Sequence, residues 1–129
     1  MAQETTLVTM HIGELAEKTG LSLRTIRHYD EVGLLKPSGR TEGGFRLYTP
    51  EDFTRLMLIR RMKPLGFSLE EMTELLRVIA TLSGEKHDSD STAVRAKLDH
   101  FIIEAQQRRA KLEEQVVMAD EFLILLREQ

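Results

Sequence analysis

The longest uninterrupted pattern in this chain runs from residue 92 to residue 127 and contains neither glycine nor proline. Positions alternating by four and three residues along it are apolar in eight cases of ten, a spacing typical of a coiled-coil seam. The apolar positions are Val94, Leu98, Phe101, Ala105, Leu112, Ala119, Phe122 and Leu126. A helix this long spans roughly 54 Å at 1.5 Å per residue. Because one small globule cannot cover that length, we expect the seam to pair with a second copy of the same helix.

Two positions of the predicted seam, Arg108 and Gln115, are polar. Polar seam residues cost stability but can fix the register of the paired helices. The pattern predicts a dimerisation helix and leaves open whether the two helices run parallel or antiparallel.

Near the N-terminus, residues 12–33 read as two short helices joined by a tight turn. Gly20 is expected to end the first helix and Ser22 to cap the second, which ends at Gly33. Helical spacing turns Leu23, Ile26 and Val32 inward and leaves a polar face outside. That face holds Arg24, Arg27, His28 and Tyr29. This layout predicts a helix-turn-helix, whose second helix enters the major groove of DNA.

The stretch from Lys36 to Tyr48 is rich in turn residues and predicts a β-hairpin with Gly43-Gly44 near its apex. Alternation along the returning strand puts Phe45 and Leu47 on one face. Arg46 and Tyr48 are then expected on the other, solvent-facing side. A basic hairpin beside a helix-turn-helix is typical of a wing that contacts phosphates or a minor groove.

Two further helices are predicted from their capping signals. Thr49-Pro-Glu-Asp starts a helix that runs to about Lys63, before Pro64, and Ser68-Leu-Glu-Glu starts one that runs to about Leu82. The buried stripe of the second is predicted to be Met72, Leu75, Leu76 and Ile79.

Five motifs in order across residues 10–82 closely resemble the MerR family of bacterial transcription regulators. They are Ile12-Gly-Glu-Leu-Ala, Thr25-Ile-Arg-His-Tyr-Asp, Gly33-Leu-Leu-Lys-Pro, Gly44-Phe-Arg-Leu-Tyr and Leu65-Gly-Phe-Ser-Leu-Glu-Glu. The Arg-His-Tyr-Asp form is most similar to the branch of thiostrepton-induced and multidrug-responsive regulators. Pro64, before the last motif, departs from the family pattern.

The resemblance implies a mostly α-helical chain, in which a winged helix-turn-helix DNA-binding domain precedes the long dimerisation helix. We expect a flexible tail over 1–9, the DNA-binding domain over 10–82, a linker over 83–91 and the coiled coil over 92–129. The residues expected to bind DNA are Ser22, Arg24, Thr25, Arg27, His28, Tyr29, Lys36, Arg40, Arg46, Tyr48, Arg60, Arg61 and Lys63.

The implied function is a homodimeric regulator that binds a pseudo-palindromic promoter and distorts its spacer for RNA polymerase. In the family, the paired dimerisation helices are antiparallel. The alternative, from another class, is an effector-less architectural protein that uses its coiled coil to bind a partner. A discrete palindromic footprint favours the regulator, whereas sequence-independent coating of DNA favours the alternative.

The net charge of −3 conceals a basic segment, because residues 24–63 hold nine basic and five acidic side chains. DNA affinity depends on the field at the contact face rather than on the total charge. No run is apolar enough to span a bilayer. With a polar N-terminus that does not resemble a signal peptide, we expect a cytoplasmic protein without membrane contact.

No catalytic constellation, cofactor motif or metal site is predicted. The chain has no cysteine, so it has neither a thiolate metal site nor a redox-sensing thiol. His87, Asp88 and Asp90 could hold a metal, but a polar loop is the simpler interpretation, and His28 is read as packed or contacting DNA rather than as a pH switch. A small organic effector, if one exists, is expected near the linker and the long helix.

Overall fold

The computed structural model describes residues 8–85 and 91–129. Five helices are present in this part of the chain, together with a small sheet. The helices are α1 (Ile12–Thr19), α2 (Leu23–Glu31), α3 (Pro50–Met62), α4 (Leu69–Ala80) and α5 (Ser91–Arg127). The strands are β1 (Met10–His11), β2 (Gly39–Arg40) and β3 (Arg46–Tyr48). The mostly helical winged helix-turn-helix predicted from the sequence is confirmed.

The three strands form one antiparallel sheet in the order β1-β3-β2. The predicted hairpin is the β2–β3 pair, in which Arg40 lies opposite Arg46. Strand β1 was not predicted from the sequence; it pairs Met10 with Tyr48 on the other side of β3. The wing is therefore attached along one edge to the segment that precedes α1.

Local capping contacts explain where the helices begin and end. The Ser22 side chain accepts a hydrogen bond from the Thr25 amide at 3.0 Å. Thr49 and Asp52 form a reciprocal capping box at the start of α3. Gly20 ends α1 in the left-handed region, with φ of +73°, where a side chain would be strained. These caps were predicted from sequence, and all of them are present.

The described residues fall into two compact units, one ending at Thr73 and the other beginning at Glu74. This division lies inside α4, whereas the sequence-based division placed a linker at 83–91. Residues 86–90 of that linker, with His87, Asp88 and Asp90, lie outside the described residues. Helix α4 is followed by a π-helical turn over Thr81–Glu85.

The core of the first unit is apolar and completely closed to solvent at its centre. Leu15, Ile26, Leu56 and Ile59 have no exposed surface, so α1, α2 and α3 each contribute to it. Burying side chains of this size stabilises the fold by about 1.5–3 kcal/mol each relative to full exposure. This packing fixes the orientation of α2, whose opposite face is free to meet a ligand.

Several predicted orientations differ from the structure. Leu23 and Val32, predicted to face inward, are exposed. In α4, Val78 is buried while Leu76 and Ile79 are only partly so. Each lies at the margin of a helical face, where a rotation of one position decides between core and solvent. No helix in the described ranges combines the length and apolarity needed to cross a membrane.

Candidate nucleic-acid interface

Helix α2 presents three basic side chains to solvent along its outer surface. Arg24, Arg27 and His28 are exposed, and Thr25 is half-buried beside Ser22 at the start of the helix. The two hydroxyl oxygens of Ser22 and Thr25 lie 2.8 Å apart. In the part of the chain that the structure describes, neither Arg24 nor Arg27 forms an ion pair. These guanidinium groups are therefore available to an anionic partner.

The end of α3 adds a second group of cations next to α2. Arg24, Arg27 and His28 line a concave surface of about 550 Å³ together with Lys63. Lys63 also lines a neighbouring concavity of about 620 Å³ with Arg60 and Arg61. We call Arg24, Arg27, Arg60, Arg61 and Lys63 the basic face. Two open concavities that share a lysine suit an extended polyanion better than a small neutral ligand.

Gly20 lies beside Arg60 of the basic face. A β-carbon at Gly20 would lie 3.4 Å from the Arg60 guanidinium. This is an ordinary van der Waals distance to the end of a flexible side chain, so the space beside Arg60 does not require a glycine. Glycine is favoured at this position by its positive φ, which ends α1.

The wing carries three further cations, of which two are held by one carboxylate. Lys36 is exposed. Arg46 Nε donates a hydrogen bond to Asp30 Oδ2 at 2.8 Å, and Arg40 Nη2 lies 3.5 Å from the same oxygen. The hydrogen bond that Arg46 donates to Asp30 is the main cause that raises the pKa of the Arg46 guanidinium above its ordinary value. Arg46 is thus engaged within the protein, in contrast to Arg24 and Arg27.

Two tyrosines predicted as DNA contacts are buried instead. Tyr48 has no exposed surface and Tyr29 is 4% exposed, and burial raises the pKa of both phenols. Tyr29 shares the inner face of α2 with Ile26. The alternation along β3 was predicted correctly, but its two faces were assigned the wrong way round: Arg46 and Tyr48 face inward.

Phe45 is an exposed aromatic residue of the wing that was not among the predicted DNA contacts. Alternation placed it on the same face as Leu47, opposite Arg46 and Tyr48, and in the structure it is 68% exposed near the tip of the wing. Its amide donates a hydrogen bond to the Thr41 side chain at 3.1 Å, which holds the backbone of the tip. Nothing in Gly44-Phe-Arg marks the ring as exposed, because its exposure depends on which face of β3 packs inward.

The predicted dimerisation positions divide into two groups along α5. Val94, Leu98, Phe101 and Ala105 are half-buried, and Lys97 forms an ion pair with Glu74 at 3.3 Å. From Leu112 onward the helix is exposed, including Ala119, Phe122 and Leu126. Arg108, one of the polar seam positions, donates a hydrogen bond to Glu104 at 3.1 Å. The second half of the seam is thus a long apolar surface, uncovered in the single chain.

Within the described ranges, no three His, Asp or Glu side chains are grouped so that they could hold a metal ion. The segment that contains His87, Asp88 and Asp90 lies outside those ranges.

Comparison with known families gives two matches. The family described as "MerR HTH family regulatory protein" matches residues 10–78, and the one described as "MerR, DNA binding" matches residues 53–117. Together they extend from β1 into α5.

Individual proteins are also similar. The chain is 38% identical to the mercuric resistance operon regulatory protein of Bacillus cereus, over 80% of this chain and 72% of that protein. It is 48% identical to an uncharacterized HTH-type transcriptional regulator of Pseudomonas aeruginosa, but spans only about half of that protein's length (51%) and 52% of its own.

Among solved structures, the chain is similar to HiNmlR, described as a MerR family regulator lacking the sensor domain, bound to promoter DNA. The two share 25% identity, with a TM-score of 0.73 over 94% of this chain and 92% of that one.

Proposed function

Because the chain belongs to the MerR family of helix-turn-helix transcription regulators, we propose that it binds a pseudo-palindromic promoter as a homodimer and distorts the spacer. The observation that carries the proposal is the basic face on α2 and α3, placed on the outer side of a closed helical core. The relatives are transcription regulators rather than enzymes.

Contacts to DNA would be divided between the two parts of the interface. Arg24 and Arg27 project from α2, which in a helix-turn-helix enters the major groove and meets base edges. Arg60, Arg61 and Lys63 suit the flanking phosphates, and Lys36 and Arg40 suit phosphates near the wing. Phe45 joins these residues as a candidate for the minor groove. The similarity to a DNA-bound regulator supports this arrangement.

A homodimer is supported by the apolar surface of α5. Leu112, Phe122 and Leu126 are large side chains that are all more than 40% exposed in the single chain. A second copy of α5 covers such a surface by seam packing, and it couples two DNA-binding units. Two linked half-sites would account for a palindromic operator, since the protein symmetry is reproduced in the DNA.

Distortion of the spacer requires energy from contacts on both flanks of the site. Bending a site of 20–30 base pairs by 40–90° costs on the order of 1–6 kcal/mol. Paired basic faces and wings could supply it, realigning the promoter elements for RNA polymerase. This role places the protein in the cytoplasm. Binding of a small organic effector near the start of α5 stays a prediction. The alternative, that transcription is controlled without any effector, also stays a prediction.

A footprint on the intergenic DNA beside the protein's own gene tests the proposal. We expect a discrete, two-fold symmetric protected site inside a promoter spacer, with enhanced cleavage at its centre where the DNA is distorted. Sequence-independent coating would contradict the proposal and favour the architectural alternative. Transcription of the same fragment by purified RNA polymerase, with and without the protein, separates activation from repression.

A further inference from the structure

Asp30, in the last turn of α2, connects the recognition helix to both strands of the wing. Its side chain is only 12% exposed, and one oxygen, Oδ2, lies within 3.5 Å of both Arg40 and Arg46. Asp30 and Arg46 are 16 residues apart in sequence, so the contact is tertiary. No other contact between an acidic side chain and these two arginines is present in the described residues.

The two arginines face each other across the hairpin, since Arg40 pairs with Arg46 in the β2–β3 register. Like charges directly opposite each other destabilise a strand pair. A carboxylate that reaches both of them removes this repulsion. Conversely, a carboxylate as enclosed as Asp30 is costly without a cationic partner. The three groups therefore depend on one another.

The two arginines nevertheless occupy different positions around Asp30. The Arg46 side chain is 24% exposed and directs Nε at the carboxylate, 2.8 Å away. The Arg40 side chain is 49% exposed, its distance to Asp30 is 3.5 Å, and its Nη1 donates to the Gly44 carbonyl at 2.9 Å. Arg46 is thus the tightly held partner, whereas Arg40 keeps much of its guanidinium in solvent.

We propose that Asp30 is a positioning residue that fixes the wing against α2 through Arg46, and that Arg40 is the wing arginine that binds DNA phosphate. This inference rests on the proposed function and differs from the sequence-based expectation that Arg46 is itself a DNA contact. On binding DNA, a phosphate replaces Asp30 as the nearer anion of Arg40, while the Arg46–Asp30 hydrogen bond stays.

The salt dependence of DNA binding separates the two arginines. Each neutralised phosphate contributes about −0.9 to the slope of log K against log salt concentration. For this chain and a duplex selected from a randomised pool, Arg40→Gln should make the slope less negative by about two, because a homodimer loses one phosphate contact in each half-site. Arg46→Gln should lower affinity on the order of tenfold with the slope unchanged, because it removes no phosphate contact. A slope change of about two for Arg46→Gln would overturn the proposal.

A double variant tests whether Arg46 acts through Asp30. Arg46→Gln leaves the Asp30 carboxylate without its close partner, so adding Asp30→Asn should restore affinity about fivefold or more. Glu31→Gln is the matched control, because it removes a neighbouring exposed acid that is not hydrogen-bonded to Arg46. If Glu31→Gln restores binding equally well, the effect is general charge and the positioning role is wrong.

The free energy of unfolding of the same variants, measured without DNA, tests this inference separately from the proposed function. The losses in stability from Asp30→Asn and Arg46→Gln should be strongly non-additive, while those from Glu31→Gln and Arg46→Gln should add. If the parent protein selects no duplex, the proposed function fails, yet this coupling can still be measured. Additive losses for Asp30 and Arg46 would overturn the positioning role whatever the DNA result.

Discussion

At the scale of single residues, the interface contains side chains of the same type with different roles. Arg27 is exposed with no ion pair among the described residues, whereas Arg46 is hydrogen-bonded to Asp30. Tyr48 was expected at the DNA and lies wholly inside the protein. Residue type therefore predicts what a side chain could bind, and its environment decides whether it is available to do so.

Tyr48→Phe tests the burial of this tyrosine. Among the described side chains, the Tyr48 hydroxyl is a buried oxygen with no hydrogen-bond partner. An unsatisfied buried polar group costs about 1–3 kcal/mol, so the change should leave the free energy of unfolding equal or raise it by about 1 kcal/mol. DNA affinity should be unchanged. Thermal melting and a binding titration check both expectations, and a loss of affinity without a loss of stability would mean that the hydroxyl reaches DNA.

Arg27→Ala tests the major-groove contact. If Arg27 reads a base edge, the change should weaken operator binding by about 1–3 kcal/mol for each half-site and relax the preference at one base pair in each. Stability should barely change because the side chain is exposed. Lys18→Ala is the control, since Lys18 is an exposed basic residue on α1 that pairs with Glu14, at 3.4 Å. Equal losses for both variants would indicate a general charge effect and contradict base readout.

At the scale of secondary-structure elements, two capping boxes of the same kind occupy different environments. At the start of α3, Asp52 is 2% exposed and accepts hydrogen bonds from the Ser38 hydroxyl at 2.6 Å and the Thr49 amide at 2.9 Å. At the start of α4, Ser68 and Glu71 form the equivalent box with exposed hydrogen bonds. The first box also connects α3 to the segment leading into the wing, because Ser38 precedes β2.

Asp52→Ala should therefore be much more damaging than Ser68→Ala. Removing Asp52 deprives a helix cap and the Ser38 hydroxyl of their acceptor, with an expected loss of about 3 kcal/mol in the free energy of unfolding. Removing the exposed Ser68 cap should cost about 1 kcal/mol. Urea unfolding of the two variants measures the difference, and similar losses would show that the Ser38 contact adds little.

At the scale of the whole molecule, α5 carries an apolar surface wider than a single seam. Besides the seam positions, Val116, Val117, Leu123 and Ile124 are exposed on the second half of the helix. Soluble proteins rarely leave continuous apolar surfaces of this kind uncovered unless a partner covers them. A second copy of the chain is the partner that the seam spacing favours.

Replacing Leu112 and Phe122 together with glutamate should dissociate the dimer. Two buried charges facing each other in a seam are strongly unfavourable, so sedimentation should show a monomer at micromolar concentration, with operator affinity greatly reduced. Gln107→Glu is the control, because it also introduces a glutamate but at an exposed polar position away from the seam. A parent protein that is monomeric at this concentration would contradict the homodimer.

The sequence alone determined the features that depend on contacts between residues close together along the chain. The Ser22, Thr49 and Ser68 caps are satisfied within three residues, so composition and spacing were sufficient to place them. The family was recognisable for the same reason, since its motifs are local and occur in a set order. The two faces of β3 could be separated by alternation, because side chains on a strand point to opposite sides in turn.

Only the tertiary structure decided which of those faces is inside. Which face of β3 is buried depends on β1, which pairs with the far edge of β3, and on Asp30 of α2, which is hydrogen-bonded to Arg46. Neither contact has a local signature, because alternation is symmetric and a carboxylate sixteen residues away looks like any solvated acid in the sequence. Tyr48 and Phe45 were misplaced for this reason. Tyr29 was misplaced because the face of α2 that turns to the core is likewise decided by the elements packed against it. Exposure is a property of the assembled fold, while the pattern along the chain specifies only which residues share a side.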